Sequence, residues 1–332
     1  MRRPEPRFLQ AAGLRLRALV QATGEGAGTG ERRRSPVLVL HGFTGSAESM
    51  EGVAEALCDR HCVARLELVG HGESDAPEDE ARYSMSACAA QILEAADGLA
   101  LERPHLIGYS MGGRAALATA LASPSRFASL VLVGATAGLA DPGQRAERIA
   151  SDRALAERIE REGVERFVDE WMARPLFASQ ARLGASALAR ARAQRLRNRA
   201  SGLAGSLRGM GTGAQPPLHD RLAELDLPAL LVVGEEDMKF REIAEQLAGE
   251  MPDARVRQLA EAGHAAHLEA PEAFAEVVRR FFDEVEARPD AGVKSRAAVE
   301  PGAEPGAGPG AEPGRAAGPP GRAAADGAEG SS

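Results

Sequence analysis

Five short apolar runs, residues 37–40, 62–66, 105–107, 130–133 and 229–233, are each bounded by turn chemistry and separated by segments of helical periodicity. Runs that are apolar at nearly every position, rather than at every second one, suit strands covered on both faces. Residues 47–58, 85–100, 112–122, 241–249 and 271–286 read as the intervening helices, and 255–259 as a last strand. This alternation predicts an α/β fold, a mostly parallel sheet with helices on both faces.

One stretch breaks the rhythm. Residues 141–217 are rich in Arg and Ala, read as several helices and contain no convincing strand, so they are expected to form an inserted helical cap. The core is then divided into 7–140 and 218–288. Open α/β sheets bind ligands outside the carboxyl ends of their strands, and a cap placed there roofs the site. Residues 289–332 are expected to form a disordered tail, since positions 301–332 hold six Pro, nine Gly and nine Ala and nothing large and apolar to bury. A second Gly-rich piece, residues 23–30, lacks the following Gly-Lys-Ser/Thr of a phosphate loop and reads as a hairpin connection.

Composition excludes several classes of function. The chain carries 40 Lys and Arg against 48 Asp and Glu, a formal net charge of −8. Nucleic-acid binders concentrate positive charge to displace phosphate counterions, so none is expected as a partner. An anionic ligand must instead be held by local arginines. Three cysteines, Cys58, Cys62 and Cys88, cannot make a disulfide framework and are expected to be reduced thiols in the cytoplasm. No apolar run approaches the length of a membrane span or follows the basic first ten residues as a leader would.

Gly108-Tyr109-Ser110-Met111-Gly112 is a G-x-S-x-G motif lying directly after one predicted strand and before a predicted helix. Small residues at its ends permit a tight turn that exposes the Ser110 hydroxyl at a helix N-terminus. Such a hydroxyl needs an imidazole to take its proton and a carboxylate to orient that imidazole. Asp237 and His264, on loops after later strands, stand in the expected chain order. Glu235 and Glu236 are alternatives for the acid and His267 for the base; Gly263 favours His264 by freeing the backbone beside it. His61, His105 and His219 read as structural or exposed. No cluster with metal-ligand spacing appears, and no metal or organic cofactor is expected.

The series His41-Gly42-Phe43, Gly70-His71-Gly72, Gly108 to Gly113, Asp237 and His264 resembles the α/β-hydrolase superfamily. The resemblance narrows with Leu40 to Ser46, the elbow extended to Arg114, Gln144 to Arg153, and Trp171 with Pro175-Leu176-Phe177. The acid loop Gly234 to Phe240 and Gly263 to His267 complete it. In that order these resemble the 2-succinyl-6-hydroxy-2,4-cyclohexadiene-1-carboxylate synthases of menaquinone biosynthesis, over roughly residues 7–287.

The resemblance implies a carbon-oxygen lyase on a hydrolase fold, which eliminates pyruvate from 2-succinyl-5-enolpyruvyl-6-hydroxy-3-cyclohexene-1-carboxylate. Ser110, Asp237 and His264 are then the catalytic residues, with the amides of Phe43 and Met111 as the oxyanion hole. His41, Tyr109, Arg114, Arg148 and Trp171 are the expected contacts to a small-molecule tricarboxylate substrate. Arg114 lies about one helical turn past Ser110, and arginine's planar donors match a carboxylate. The alternative is a serine hydrolase of the same fold, a carboxylesterase or carbon-carbon bond hydrolase. The sequence sets no oligomeric state.

Overall fold

The computed structural model describes residues 3–23 and 34–288. The predicted tail at 289–332 and most of the Gly-rich stretch at 23–30 lie outside the described residues. Strands β1 (Glu5–Ala11), β2 (Leu14–Gln21), β3 (Val37–Leu40), β4 (Val63–Leu66), β5 (His105–Tyr109), β6 (Ser129–Val133), β7 (Ala229–Gly234) and β8 (Ala254–Leu259) form one sheet. Their spatial order is β1-β2-β4-β3-β5-β6-β7-β8. β2 runs antiparallel to both neighbours, and every pair from β4 to β8 is parallel.

The helices are α1 (Glu51–Leu57), α2 (Met85–Gly98), α3 (Met111–Ala122), α4 (Pro142–Glu162), α5 (Val164–Met172), α6 (Gly184–Arg195), α7 (Ala200–Met210), α8 (Met238–Glu250), α9 (Ala266–Glu269) and α10 (Pro271–Glu286). Successive strand side chains point to opposite faces. Leu38, Leu40, Leu106, Leu130 and Leu132 therefore pack with Ile92 of α2, Ala116 of α3 and Leu247 of α8. Val37, Val39, Ile107, Val131 and Val133 pack on the other face with Leu57 of α1 and Phe274, Val278 and Phe282 of α10. Covering on both faces is why the runs read as continuously apolar. Truncating one of these leucines to Ala costs about 2–5 kcal/mol, transfer plus cavity.

β1 and β2 have no counterpart in the sequence expectations. Five of the seven β1 residues are exposed, so this edge strand carries no apolar run. Ala12 and Gly13, with φ of 47° and 75°, join the pair as a two-residue hairpin turn whose left-handed residues match the strand twist.

Residues 142–210 hold α4 to α7 and a 3-10 segment, Pro175–Leu183. α4 begins where Asp141 accepts the Gln144 amide at 2.7 Å, with Pro142 in the first turn, and ends at Gly163, φ 88°. Ile159, Phe167, Val168, Leu203 and Leu207 form a small apolar core here. Phe43 and Trp171 pack against it and connect this segment to the sheet ends. Among the described residues no helix is long and apolar enough to cross a membrane.

Candidate active site

After β3 the chain adds β4 on one side, then returns to place β5 on the other. The crevice at this reversal, outside the carboxyl ends of β3 and β5, is where doubly wound sheets admit ligands. His41-Gly42-Phe43 leaves β3 there, and Ser110 leaves β5. Ser110 has φ 51° and ψ −110°, a conformation that costs a non-Gly residue of the order of 1–3 kcal/mol. The flanking glycines make the turn possible by close approach. A Cβ on Gly108 would lie 2.4 Å from the Gly112 carbonyl oxygen, and one on Gly112 would lie 2.5 Å from that of His41.

Ser110 Oγ donates to His264 Nε2 at 3.1 Å, and His264 Nδ1–H donates to Asp237 Oδ2 at 2.8 Å. The tautomer follows from these partners. His264 is 3% exposed, so the chain of bonds is shielded from water. Asp237 does not cap α8 with its side chain. Of the alternatives, Glu236 pairs with Arg182 at 3.1 Å and the Glu235 carboxylate accepts the Glu261 amide. His267 is buried against the Tyr109 ring at 4.5 Å, and burial lowers its pKa to about 3. Gly263 serves differently from expectation. Its φ is not in the left-handed region, but a Cβ there would stand 2.1 Å from Ser179 Oγ.

The Phe43 and Met111 amides flank the crevice, and among the described residues neither N–H donates to a protein acceptor. They are therefore available to a developing oxyanion. His41, an expected substrate contact, has both ring nitrogens engaged by the backbone. Its Nδ1–H donates to the Gly42 carbonyl at 2.8 Å and its Nε2 accepts the Leu68 amide at 3.1 Å. Both ring nitrogens thus tie the loop after β3 to the loop after β4. Complete burial lowers its pKa to about 4 and keeps it neutral.

Arg114 is 8% exposed and donates through Nη1 to Gln215 Oε1 at 2.9 Å. Among the described residues no carboxylate lies within ion-pair distance of it. Burial first, then the neighbouring Arg148, lowers its pKa to about 10, so it remains charged at neutral pH. Arg148 on α4 is half-exposed and gives Nε to Asp152 Oδ1 at 2.8 Å. Tyr109 packs beside His264, ring centroids 5.5 Å apart, and burial raises its phenol pKa. Trp171 meets Phe43 at 5.2 Å and Phe177 at 5.8 Å, and Phe177 meets His264 at 6.3 Å. This aromatic chain runs from the loop after β3 to the imidazole.

Sequence reasoning missed several residues in this neighbourhood. Gln215 is fully buried, yet as a lone neutral amide it belongs to no motif. Arg174 stacks its guanidinium 4.4 Å over Trp171. Arg195 is half-buried and, among the described residues, its Nε has no protein partner. Arg174 directly precedes Pro175, and nothing in the sequence sets Arg195 apart from the many other arginines. A cavity of about 250 Å³ lies between the Pro175, Leu176 and Ser179 turn and the Asp237–His264 couple.

One possible cation cluster forms at the far ends of the strands. His61, His105 and Glu286 bring ligand atoms within 4.8 Å of one another. The Ser35 carbonyl engages His61, Ser129 engages His105, and Arg34 with the Ser35 amide engages Glu286. These donors and acceptors already serve the packing of α10, and the arginine supplies the positive charge.

Sheet order, nucleophile elbow and capped strand ends together define an α/β hydrolase. The profile of the alpha/beta hydrolase fold family matches residues 35–271. A Bacillus subtilis (strain 168) protein provisionally named 2-succinyl-6-hydroxy-2,4-cyclohexadiene-1-carboxylate synthase is 43% identical over 259 residues, 78% of this chain and 94% of that protein. A synthase of the same name from Serratia proteamaculans (strain 568) is 33% identical, over 76% of this chain and 95% of its own. The solved structure of MenH from S. aureus is 30% identical with a TM-score of 0.75, covering 81% of this chain and 98% of that one. The chain belongs to the 2-succinyl-6-hydroxy-2,4-cyclohexadiene-1-carboxylate synthase family of α/β hydrolases. A malate-bound esterase from Thermogutta terrifontis is also similar, 28% identical with a TM-score of 0.74 over 85% of this chain and 99% of that one.

Proposed function

We propose that this protein is a 2-succinyl-6-hydroxy-2,4-cyclohexadiene-1-carboxylate synthase of menaquinone biosynthesis, a lyase that eliminates pyruvate from the enolpyruvyl substrate. Ser110, His264 and Asp237 alone do not carry this reading, because a hydrolase uses the same three. The observation that carries it is Arg114, a buried guanidinium one helical turn past Ser110 with no carboxylate within ion-pair distance among the described residues. A buried cation with no carboxylate in direct contact costs several kcal/mol, and an anionic substrate offsets that cost.

In this reading His264, oriented by Asp237, takes the Ser110 proton, and the Ser110 oxygen removes the ring proton alpha to the succinyl ketone. The pair of electrons left on carbon forms the first ring double bond, the existing double bond shifts one position, and the carbon-oxygen bond to enolpyruvate breaks. The departing enolate takes a proton and becomes pyruvate. The amides of Phe43 and Met111 stabilise the charge that develops on the ketone oxygen. Arg114 and Arg148 hold carboxylates so that the reacting proton faces Ser110, and Tyr109 and Trp171 line the ring's position. The helices of 141–217 act as the cap that excludes water.

Pyruvate release from the enolpyruvyl substrate by purified protein, measured against the spontaneous rate, tests this. No enzymatic excess removes the assignment. The likeness to the esterase favours a second reading, ester hydrolysis through an acyl-enzyme. That reading requires a burst of leaving group from an activated aryl ester.

A further inference from the structure

We propose that Gln215 is a positioning residue for anion recognition: its uncharged amide holds Arg114 by a single N–H, leaving the guanidinium ordered but not neutralised. This rests on the synthase reading above, and adds to it how the site keeps its positive charge. Arg114 and Gln215 lie 101 positions apart and meet at 2.9 Å, the amide completely buried. Of five guanidinium N–H groups only one, on Nη1, has an acceptor among the described residues, so an edge suited to a carboxylate stays open.

The amide is itself fixed. The Gln215 backbone N–H bonds the Gly211 carbonyl at 3.0 Å, two prolines follow, and the Leu218 amide bonds Ala137 at 2.9 Å. Arg148 is held by the opposite chemistry. Its partner Asp152 is a carboxylate, but it engages Nε through one oxygen, at a side chain 44% exposed where solvent screens the pair. A charged partner at the buried position would form a strong ion pair that substrate must first break. Arg114 and Arg148 both face the carboxylate of Asp152, which bonds Arg148 and not Arg114.

The test is Gln215→Glu. A glutamate of nearly the same shape is expected to raise KM for the enolpyruvyl substrate at least about ten-fold, change kcat by less than about three-fold, and leave Tm equal or higher, since the buried cation gains a counter-ion. A residue with only a structural role predicts the reverse, a lower Tm with unchanged KM. KM within about two-fold of the unaltered enzyme overturns the proposal. Should Gln215→Glu fail to fold, Gln215→Met keeps the charge but removes the acceptor. Its affinity for tricarballylate, a stable tricarboxylate, is then expected to fall at least about ten-fold by calorimetry, and equal affinity overturns the proposal. If the unaltered enzyme releases no pyruvate, the synthase reading fails by itself. Tricarballylate binding then decides Gln215: weaker binding by Gln215→Glu supports it, while equal binding, or none by the unaltered protein, overturns it.

Discussion

The two halves of the crevice are built on opposite terms. On the Ser110 side every polar group of the hydrogen-bonded chain has its partner, from Asp237 through His264 to the hydroxyl, and neighbouring His41 has both nitrogens bonded. On the arginine side Arg114 rests on one neutral amide, while among the described residues Asp152 Oδ2 and Gln215 Nε2 lack protein partners. Buried polar groups are ordinarily satisfied, and each that is not costs about 1–3 kcal/mol. The difference teaches that the Asp237–His264–Ser110 chain of bonds is complete without a ligand, whereas in the synthase reading the charged half is completed by one.

The comparison breaks most visibly at the nucleophile. Ser110→Ala is expected to lower kcat for pyruvate release by about 10²–10⁴-fold, the usual worth of a positioned base, with the folded structure retained by circular dichroism. Full activity would rule Ser110 out as the base.

Arg114→Met probes the other half. Here kcat/KM is expected to fall by about 10²-fold while Tm rises, because a poorly compensated buried charge is exchanged for apolar packing. A lower Tm would place Arg114 among the structural residues and remove the contrast between the halves.

Acid should act first on the buried histidines around the Ser110 side. Burial lowers the pKa of His41 to about 4 and of His71 and His267 to about 3, each below the unfolded value of about 6.5. The unfolded chain therefore binds more protons below pH 6.5. The stability these neutral rings support is complete above that pH and is lost as pH falls through 6.5 towards 4. At pH 5 the loss is of the order of 2 kcal/mol for each histidine, read from urea midpoints at pH 7 and pH 5. A flat profile over that window would mean the three rings are protonated in the folded protein.

The smallest effect is expected at the exposed arginine. Arg148→Gln should raise KM by less than about ten-fold, and the increase should shrink in added salt, since its pair with Asp152 is partly solvated. An effect as large as that of Arg114→Met, or one insensitive to salt, would erase the distinction between buried and screened cations.

Much of the core was legible because local patterns coincide with tertiary roles. β3 and α10 fall at the residues expected, and β4 to β8 within two residues, since apolar runs buried on both faces and strong turn residues leave few readings. β1 and β2 were not legible: an edge strand facing water has no apolar signature, and its partner alternates Leu and Arg over a short span. The elbow was legible through Gly108 and Gly112, whose missing side chains are a steric necessity. The arginine side was legible only at Arg114 and Arg148, through the resemblance. Gln215 and Arg174 carry no motif, and the two backbone partners of His41 come into view only in the fold.

By itself the sequence determined the order of strands and helices and the order Ser110, Asp237, His264, because both are written in short-range chemistry of size, polarity and turn preference. Only the tertiary structure decided which charges are shielded and which remain open. Burial and partner geometry depend on residues 100 positions apart meeting, as Arg114 and Gln215 do, and no local pattern encodes that meeting.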